Sequence, residues 1–300
     1  MNTVDDVKLQ QLNTLFSELA EDYDKSAFIQ QEVGRRMLAR LDYINYTPSQ
    51  IVDAGCASGF HCQLLAQKFP KAKIYGLDIS TGMITVANKK RSFFSKQKFI
   101  QVDMTQTDLS DNSVDFIFSN LALPWVNDIQ LCIKEWQRIL KPDGLLLFST
   151  LGPDSMMELK QALSNTSADI EMLNFIDMHD IGDSLLKNKF VEPVMDVENI
   201  SLLFDDTKSL LDELSATGML QLLLNNKYSQ LSQNRFIMES LDRINANYPG
   251  YLENNDKVYP LNYEIIYGHA WGTELTTQSV QGAKMANDET FILDAFLDKN

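Results

Sequence analysis

The sequence predicts a doubly wound α/β fold with a mostly parallel, seven-stranded sheet, preceded by N-terminal helices and carrying a helical insertion between its last two strands. Three observations predict it. Short apolar runs alternate with helical stretches from Ile51 onward, and such alternation with short connections implies parallel pairing through right-handed crossovers. Each run is apolar along its length, as strands covered on both faces must be. The first run ends in a glycine-containing turn that opens a helix, which sets backbone amides at the carboxyl edge of the sheet.

The first 45 residues read as two helices, from Leu12, Leu15, Phe16 and Leu19 and then Val33, Met37, Leu38 and Leu41 at helical spacing. Between them EDYDKSAF reads as a polar turn with one aromatic, Tyr23. The runs IVDAG, IYGLD, KFIQVD, VDFIFSNLAL and GLLLFSTLG are the core strands, with helices near 58–69, 81–94 and 128–140. After Gly152 come helices over 154–164 and 179–190 with a loop between them, then a strand, VMDVENISLLF, ending near Phe204. Residues 206–247 look mainly helical before VYPLNYEIIYGHAW returns to a strand pattern. A connection of about 50 residues is long and implies helices of its own, a lid or substrate platform. The expected division is an N-terminal helical cap (1–47), a cofactor-binding core (48–204), a helical lid (205–258), the last core strand (259–272) and an acidic, loosely packed or disordered tail (273–300).

Composition excludes several classes. With 44% apolar and 22% charged residues the 300-residue chain is ordinary for a soluble globular protein. It has no apolar run near the roughly 20 residues that span a bilayer, and its start, MNTVDDVKLQQL, is too polar for a signal peptide. A cytoplasmic location and no membrane partner are expected. The net charge of -15 argues against nucleic acid. Two basic clusters stand out, Arg35, Arg36 and Arg40, and Lys89, Lys90, Arg91, Lys96 and Lys98; each reads as a solvated face or a docking patch for an acidic partner. Cys56, Cys62 and Cys132 lack paired metal spacing and read as free thiols, and the histidines at 61, 179 and 269 make no metal signature.

The chemistry concentrates around the first turn. Gly55 and Gly59 permit tight backbone geometry, and a helix beginning near Ser58 offers unpaired amides to an anionic group. Asp53 is placed to receive an ammonium group or to orient the turn. Asp78 closes the second strand 19 residues past Gly59, where an acid meets ribose hydroxyls, and Asp103 closes the third, where it meets an adenine amino group. A nicotinamide fingerprint needs G-x-G-x-x-G, and the run Gly55, Cys56, Ala57, Ser58, Gly59 misses that spacing.

IVDAGCASGF, the acid of GLDIS, VDMTQTDLSDNSVDFIFSNLALPWVND and RILKPDGLLLFSTLGP resemble the successive motifs of class I S-adenosylmethionine-dependent methyltransferases, whose fold is Rossmann-like. LFSELAEDYDKSAFIQQEVGRRML, SNLALPW, FSTLGPDSMMELK, FIDMHDIGDSLLKNKFVEPVMDVENISLLFDD and YPLNYEIIYGHAW are similar to the malonyl-acyl-carrier-protein O-methyltransferases of biotin synthesis, over roughly residues 12–272. The resemblance implies S-adenosylmethionine as cofactor, gripped by Asp53, Gly55, Gly59, Asp78, Met83 and Asp103, with Asn120 and Leu121 lining the pocket. It implies an acyl carrier protein or coenzyme A thioester as substrate. The family usually has glycine where Ala57 stands, which implies that the added methyl group either crowds the methionine portion of the cofactor or strains a left-handed backbone, at a cost of about 1 kcal/mol. SATGMLQLL also departs from the family's glycine-alanine-asparagine-like turn.

Methyl transfer to a carboxylate needs alignment and little acid-base chemistry, because model carboxyl pKa values lie near 4 and the nucleophile is already ionised. SNLALPW lacks the Asn-Pro-Pro-aromatic arrangement of amino-group methylation in resembling enzymes. Tyr23, Trp125 and His179 are the candidates for positioning the acceptor. The alternatives are a respiratory complex I assembly-factor-like protein acting on a protein partner, and a cofactor-binding scaffold with reduced turnover.

Overall fold

The computed structural model describes residues 4–92, 95–164, 174–223, 246–248, 251–253 and 256–273. Five parallel strands form its centre: β1 (Gln50–Ala54), β2 (Lys73–Asp78), β3 (Gln97–Gln101), β4 (Val114–Asn120) and β5 (Leu140–Leu151). Two long antiparallel strands, β6 (Val191–Phe204) and β8 (Asp256–Trp271), complete the order β3-β2-β1-β4-β5-β8-β6, and short β7 (Tyr251–Glu253) pairs only with β8. The order reverses beside β1, and a crevice at such a reversal is where open α/β sheets bind ligands.

Strand period two divides the core between the faces. Ile51, Phe116, Phe118, Leu145 and Leu147 pack on one side with helices α3 (Phe28–Arg40) and α4 (Phe60–Lys68). Val52, Ile117, Leu146 and Phe148 pack on the other with α6 (Ile129–Ile139) and α8 (Met178–Lys187). In α6, Cys132, Ile133, Trp136 and Ile139 fall on one stripe and are buried. α3 lies close on α4 because Gly34 has no side chain: a Cβ there would collide with the His61 ring. All three cysteines are buried and free.

The N-terminal segment differs from the two-helix reading. The polar turn contains a third, one-turn helix, α2 (Tyr23–Ser26), between α1 (Val4–Leu19) and α3. Four residues give no periodicity to read. α1 is fastened to α5 (Thr81–Lys90) by polar groups: Asn13 Oδ1 accepts the Thr81 N–H at 2.9 Å, and Ser17 Oγ accepts the Gly82 N–H at 3.0 Å. A Cβ at Gly82 would stand 2.5 Å from Ser17 Cα, so the helices approach to backbone contact.

Both basic clusters are in part paired within the fold. Arg36 pairs with Glu32 and with Glu198 of β6, and Arg40 pairs with Asp196 of β6 at 2.7 Å while stacking over the Tyr267 ring. Lys89 pairs with Glu21 and Lys90 with Asp24. These cations tie α3 to the sheet edge and α5 to the N-terminal helices.

After β6 come α9 (Thr207–Ala216) and α10 (Met219–Leu223), joined through Gly218 in the left-handed region at φ 78°. α7 (Met157–Ser164) packs on β8. The remaining helical expectation for the insertion and the expected acidic tail lie outside the described residues, as does most of the loop after α7. No helix among the described residues is long and apolar enough to cross a membrane.

Candidate active site

A cavity of about 350 Å³ opens at the carboxyl ends of β1 to β4, within the range of small-ligand sites. One end is acidic. Asp78 leaves β2 with its carboxylate held by backbone amides: the Ala57 N–H donates to Oδ2 and the Ser80 N–H to Oδ1, both at 2.8 Å, and the Ile79 N–H adds to them. A carboxylate has about four acceptor sites, so acceptor capacity remains for ligand hydroxyls. Burial pushes the Asp78 pKa up to about 6 despite those bonds. Asp103, just past β3, is oriented by the Thr105 N–H at 2.8 Å and lines the same end.

The glycine turn forms the floor. Gly55 sits at φ 77°, and a Cβ there would collide with that of Ala122, so only hydrogen lets the turn pass the chain leaving β4. Ala57 adopts φ 45°, bearing out the left-handed strain expected of it. Asp24 of α2 accepts hydrogen bonds from Ser58 Oγ and Lys90 Nζ, which clamps the N-terminal segment to turn and α5.

Beyond β1 the cavity wall comes from β4. Asn120 is 9% exposed and its amide is spent on the scaffold: Nδ2 donates to the Gln30 carbonyl at 2.8 Å, and Oδ1 accepts from Ser149 Oγ at 2.9 Å. Leu121 follows at φ 51°, its N–H directed to Ser149. Trp125 meets Phe16 edge-to-face at 4.7 Å. Tyr23 lines the cavity near Asp78, and burial, then Asp78 and Asp24, raises its phenol pKa, so it stays a neutral donor.

Seven predicted site residues therefore meet in one cavity: Tyr23, Gly55, Asp78, Asp103, Asn120, Leu121 and Trp125. Three others stand behind its wall. Asp53 is 1% exposed and accepts from Cys62 Sγ at 3.1 Å; burial, reinforced by the charge of Asp78, lifts its pKa to about 7. Gly59 caps α4 at φ 80°, where a Cβ would press on Ala87 and Phe99 at 3.0 Å. Met83 is fully buried with Ala20 and Val86, against Tyr23 and Ala57. His179 lies apart from them: its side chain is 78% exposed at the start of α8, paired at 2.7 Å with Asp177, the residue that caps that helix. DMHD forms the start of α8.

Sequence reasoning missed Phe16, Asp24, Ile79 and Met104, which line the cavity. Ile79 and Met104 each directly follow an acid at a strand end, a signal that was readable. The bond of Asp24 to Ser58 spans 34 residues and leaves no local pattern.

Residues 52–148 match the family model described as a methyltransferase domain. The chain is 39% identical over 262 residues to the malonyl-acyl-carrier-protein O-methyltransferase of Gallionella capsiferriformans, covering 85% of this chain and 88% of that one. It is 33% identical to the enzyme of that name from Legionella pneumophila, over 87% and 90% of the two chains. The chain belongs to the malonyl-acyl-carrier-protein O-methyltransferase family. Among solved structures, YcgJ from Bacillus subtilis superposes with a TM-score of 0.53 at 14% identity, over 80% of this chain and 98% of that one. The cyclase SpnF superposes at 0.51 and 13% identity, over 80% and 82%. These share the fold alone, and fold does not fix chemistry.

The cofactor of this methyltransferase family is S-adenosylmethionine, and the residues present fit it. A carboxylate with spare acceptor capacity suits a ribose diol, and a second acid suits an exocyclic amine. No lysine or arginine is among the described residues lining the cavity, which suits a cationic ligand.

Proposed function

We propose that the protein methylates the free carboxylate of a malonyl group carried as a thioester on acyl carrier protein, in the early, pimeloyl-forming stage of biotin synthesis, in the cytoplasm. The observation that supports this most is the 39% identity to a relative of that name over 262 residues. The match extends well beyond the 97 residues from 52 to 148 that carry the general methyltransferase domain.

S-adenosylmethionine, when bound, supplies a methyl group on a cationic sulfur. Asp78 and Asp103 fix the nucleoside end, and the Asn120–Leu121 backbone, locked through Ser149 and Gln30, sets the opposite wall at which the acceptor arrives. Alignment of this kind is worth up to roughly 7–11 kcal/mol. The acceptor oxygen gains the methyl group, the carbon–sulfur bond breaks, and no proton moves. Two opposite charges are annihilated, so a water-poor, weakly polar cavity favours the step. A cavity-lining lysine or arginine would instead hold the carboxylate in its ground state and repel the donor. Tyr23, a neutral phenol on the cavity lining, would orient the acceptor without neutralising it.

The test is incubation of the purified protein with labelled S-adenosylmethionine and, separately, malonyl-acyl carrier protein and malonyl-coenzyme A. Methyl ester formed faster on the carrier supports the reading, as does rescue of a biotin-requiring strain that lacks its own methyltransferase. Folded protein that binds S-adenosylhomocysteine yet esterifies neither thioester overturns it.

A further inference from the structure

We propose that Phe16, Trp125 and Gly218 together set the acyl-chain length that the site accepts, restricting it to the three-carbon diacid; this rests on the function proposed above. These residues come from three distant parts of the chain, α1, the turn after β4 and the α9–α10 junction, and meet at one place. The Phe16 and Trp125 rings stand edge-to-face at 4.7 Å and 76°. A Cβ built on Gly218 would lie 3.2 Å from Trp125 Cη2 and 3.4 Å from the Phe16 ring. Tyr23 meets Phe16 on another side, with ring centroids 6.3 Å apart. Neighbouring Thr217 and Met219 line the cavity and are 2% and 5% exposed, so the residues on either side of Gly218 are packed in place.

The acids of the cavity come from the ends of β2 and β3 and Trp125 from the turn after β4, while Phe16 reaches from the Met83 cluster beside α5 across to Trp125. A donor held at the acidic end presents its methyl group toward this aromatic corner, and the acceptor must thread between. Its two ends are both constrained: the carboxylate must reach the methyl carbon, and the thioester must remain at the mouth with its bulky carrier. A longer diacid can satisfy both only by bowing sideways, and the room for that bow is occupied by the two rings. Gly218 adopts φ 78°, where a side chain is strained and would press on both rings, so the insertion closes against them through backbone alone. A misfit of one methylene in a packed pocket is worth roughly 10–200-fold in kcat/KM.

The experiment measures kcat/KM with malonyl, succinyl and glutaryl thioesters of one carrier, and the Kd of S-adenosylhomocysteine, for wild type, Phe16→Ala, Phe16→Leu and Gly218→Ala. Wild type should favour malonyl over glutaryl by at least about tenfold per added methylene. Phe16→Ala should shrink that preference by about tenfold or more, and Phe16→Leu by less. Gly218→Ala should lower turnover of the longer acids further than that of malonyl. The inhibitor Kd should stay within about threefold throughout, separating the acceptor corner from the donor end. Preference unchanged in both Phe16 variants, or a loss equal for all three acyl lengths, overturns the proposal. Wild-type protein that binds the inhibitor but methylates no diacid overturns the underlying function as well.

Discussion

Asp78 Oδ2 accepts the Ala57 N–H at 2.8 Å, so the acid of the second strand holds in place the one non-glycine residue of the turn that has a left-handed backbone. The same carboxylate is placed to meet ligand hydroxyls, which makes turn shape and ligand affinity two readouts of one side chain.

Ala57→Gly should stabilise the protein by about 0.5 kcal/mol, the strain of an L-residue in the left-handed region less the backbone entropy that glycine costs. Urea denaturation measures it. A loss of stability would mean that packing of the Ala57 methyl against the Met83 cluster outweighs the strain.

Asp78→Asn should weaken S-adenosylhomocysteine binding by roughly 1.5–3 kcal/mol, as for hydrogen bonds to a charged group. In the wild type the affinity should fall as pH drops through about 6, where the buried carboxyl protonates, and level off above about 7. Calorimetric titration across pH 5–8 checks this, and the pH dependence should flatten in the variant.

Asp53 carries a raised pKa of about 7, so its protonated form is the one the fold favours. Its contribution to stability is full below the unfolded value near 4 and is lost as pH rises through about 7. Asp53→Asn should therefore gain stability relative to wild type as pH rises from 4 to 8, up to about 1.4 kcal/mol for each pH unit of displacement. His61, whose burial lowers its pKa to about 4, has the opposite sign: its contribution is present above about 6.5 and lost as pH falls toward 4. The difference between variant and wild-type melting curves isolates the aspartate.

Reversing Arg35, Arg36 and Arg40 together should leave KM for the carrier substrate within about twofold while lowering thermal stability. Two of these cations already serve Glu198 and Asp196, so their loss leaves acids on β6 unpaired. A several-fold rise in KM with an unchanged melting temperature would restore the docking role. His179→Ala, far out on α8, should change neither quantity.

Much of the fold was legible because parallel strands buried on both faces are written as unbroken apolar runs: β1, β4 and β5 were placed from their residues alone. The donor end was legible for a related reason, since acids at strand ends recur at a spacing fixed by the crossover, and Asp78 and Asp103 stand where expected. The acceptor end was not. Phe16 belongs to an apolar stripe that reads as core, and only the meeting of α1 with Trp125 gives it another role. The exposure of His179 was not legible, because a histidine among acids looks the same in sequence whether it lines a cavity or stands at a helix start. The pairing of Arg36 and Arg40 left no local pattern because their β6 partners lie more than 150 residues away.

β8 pairs with β5 only as far as Ile265, whereas its pairing with β6 continues through Leu261 and Leu202 to Tyr259 and Phe204. The last stretch of that ribbon thus projects past the main sheet as a two-stranded stem bearing the insertion. A graft at its tip alters no register within the five parallel strands, so evolution can remodel what is methylated while the machinery for holding the donor is inherited intact.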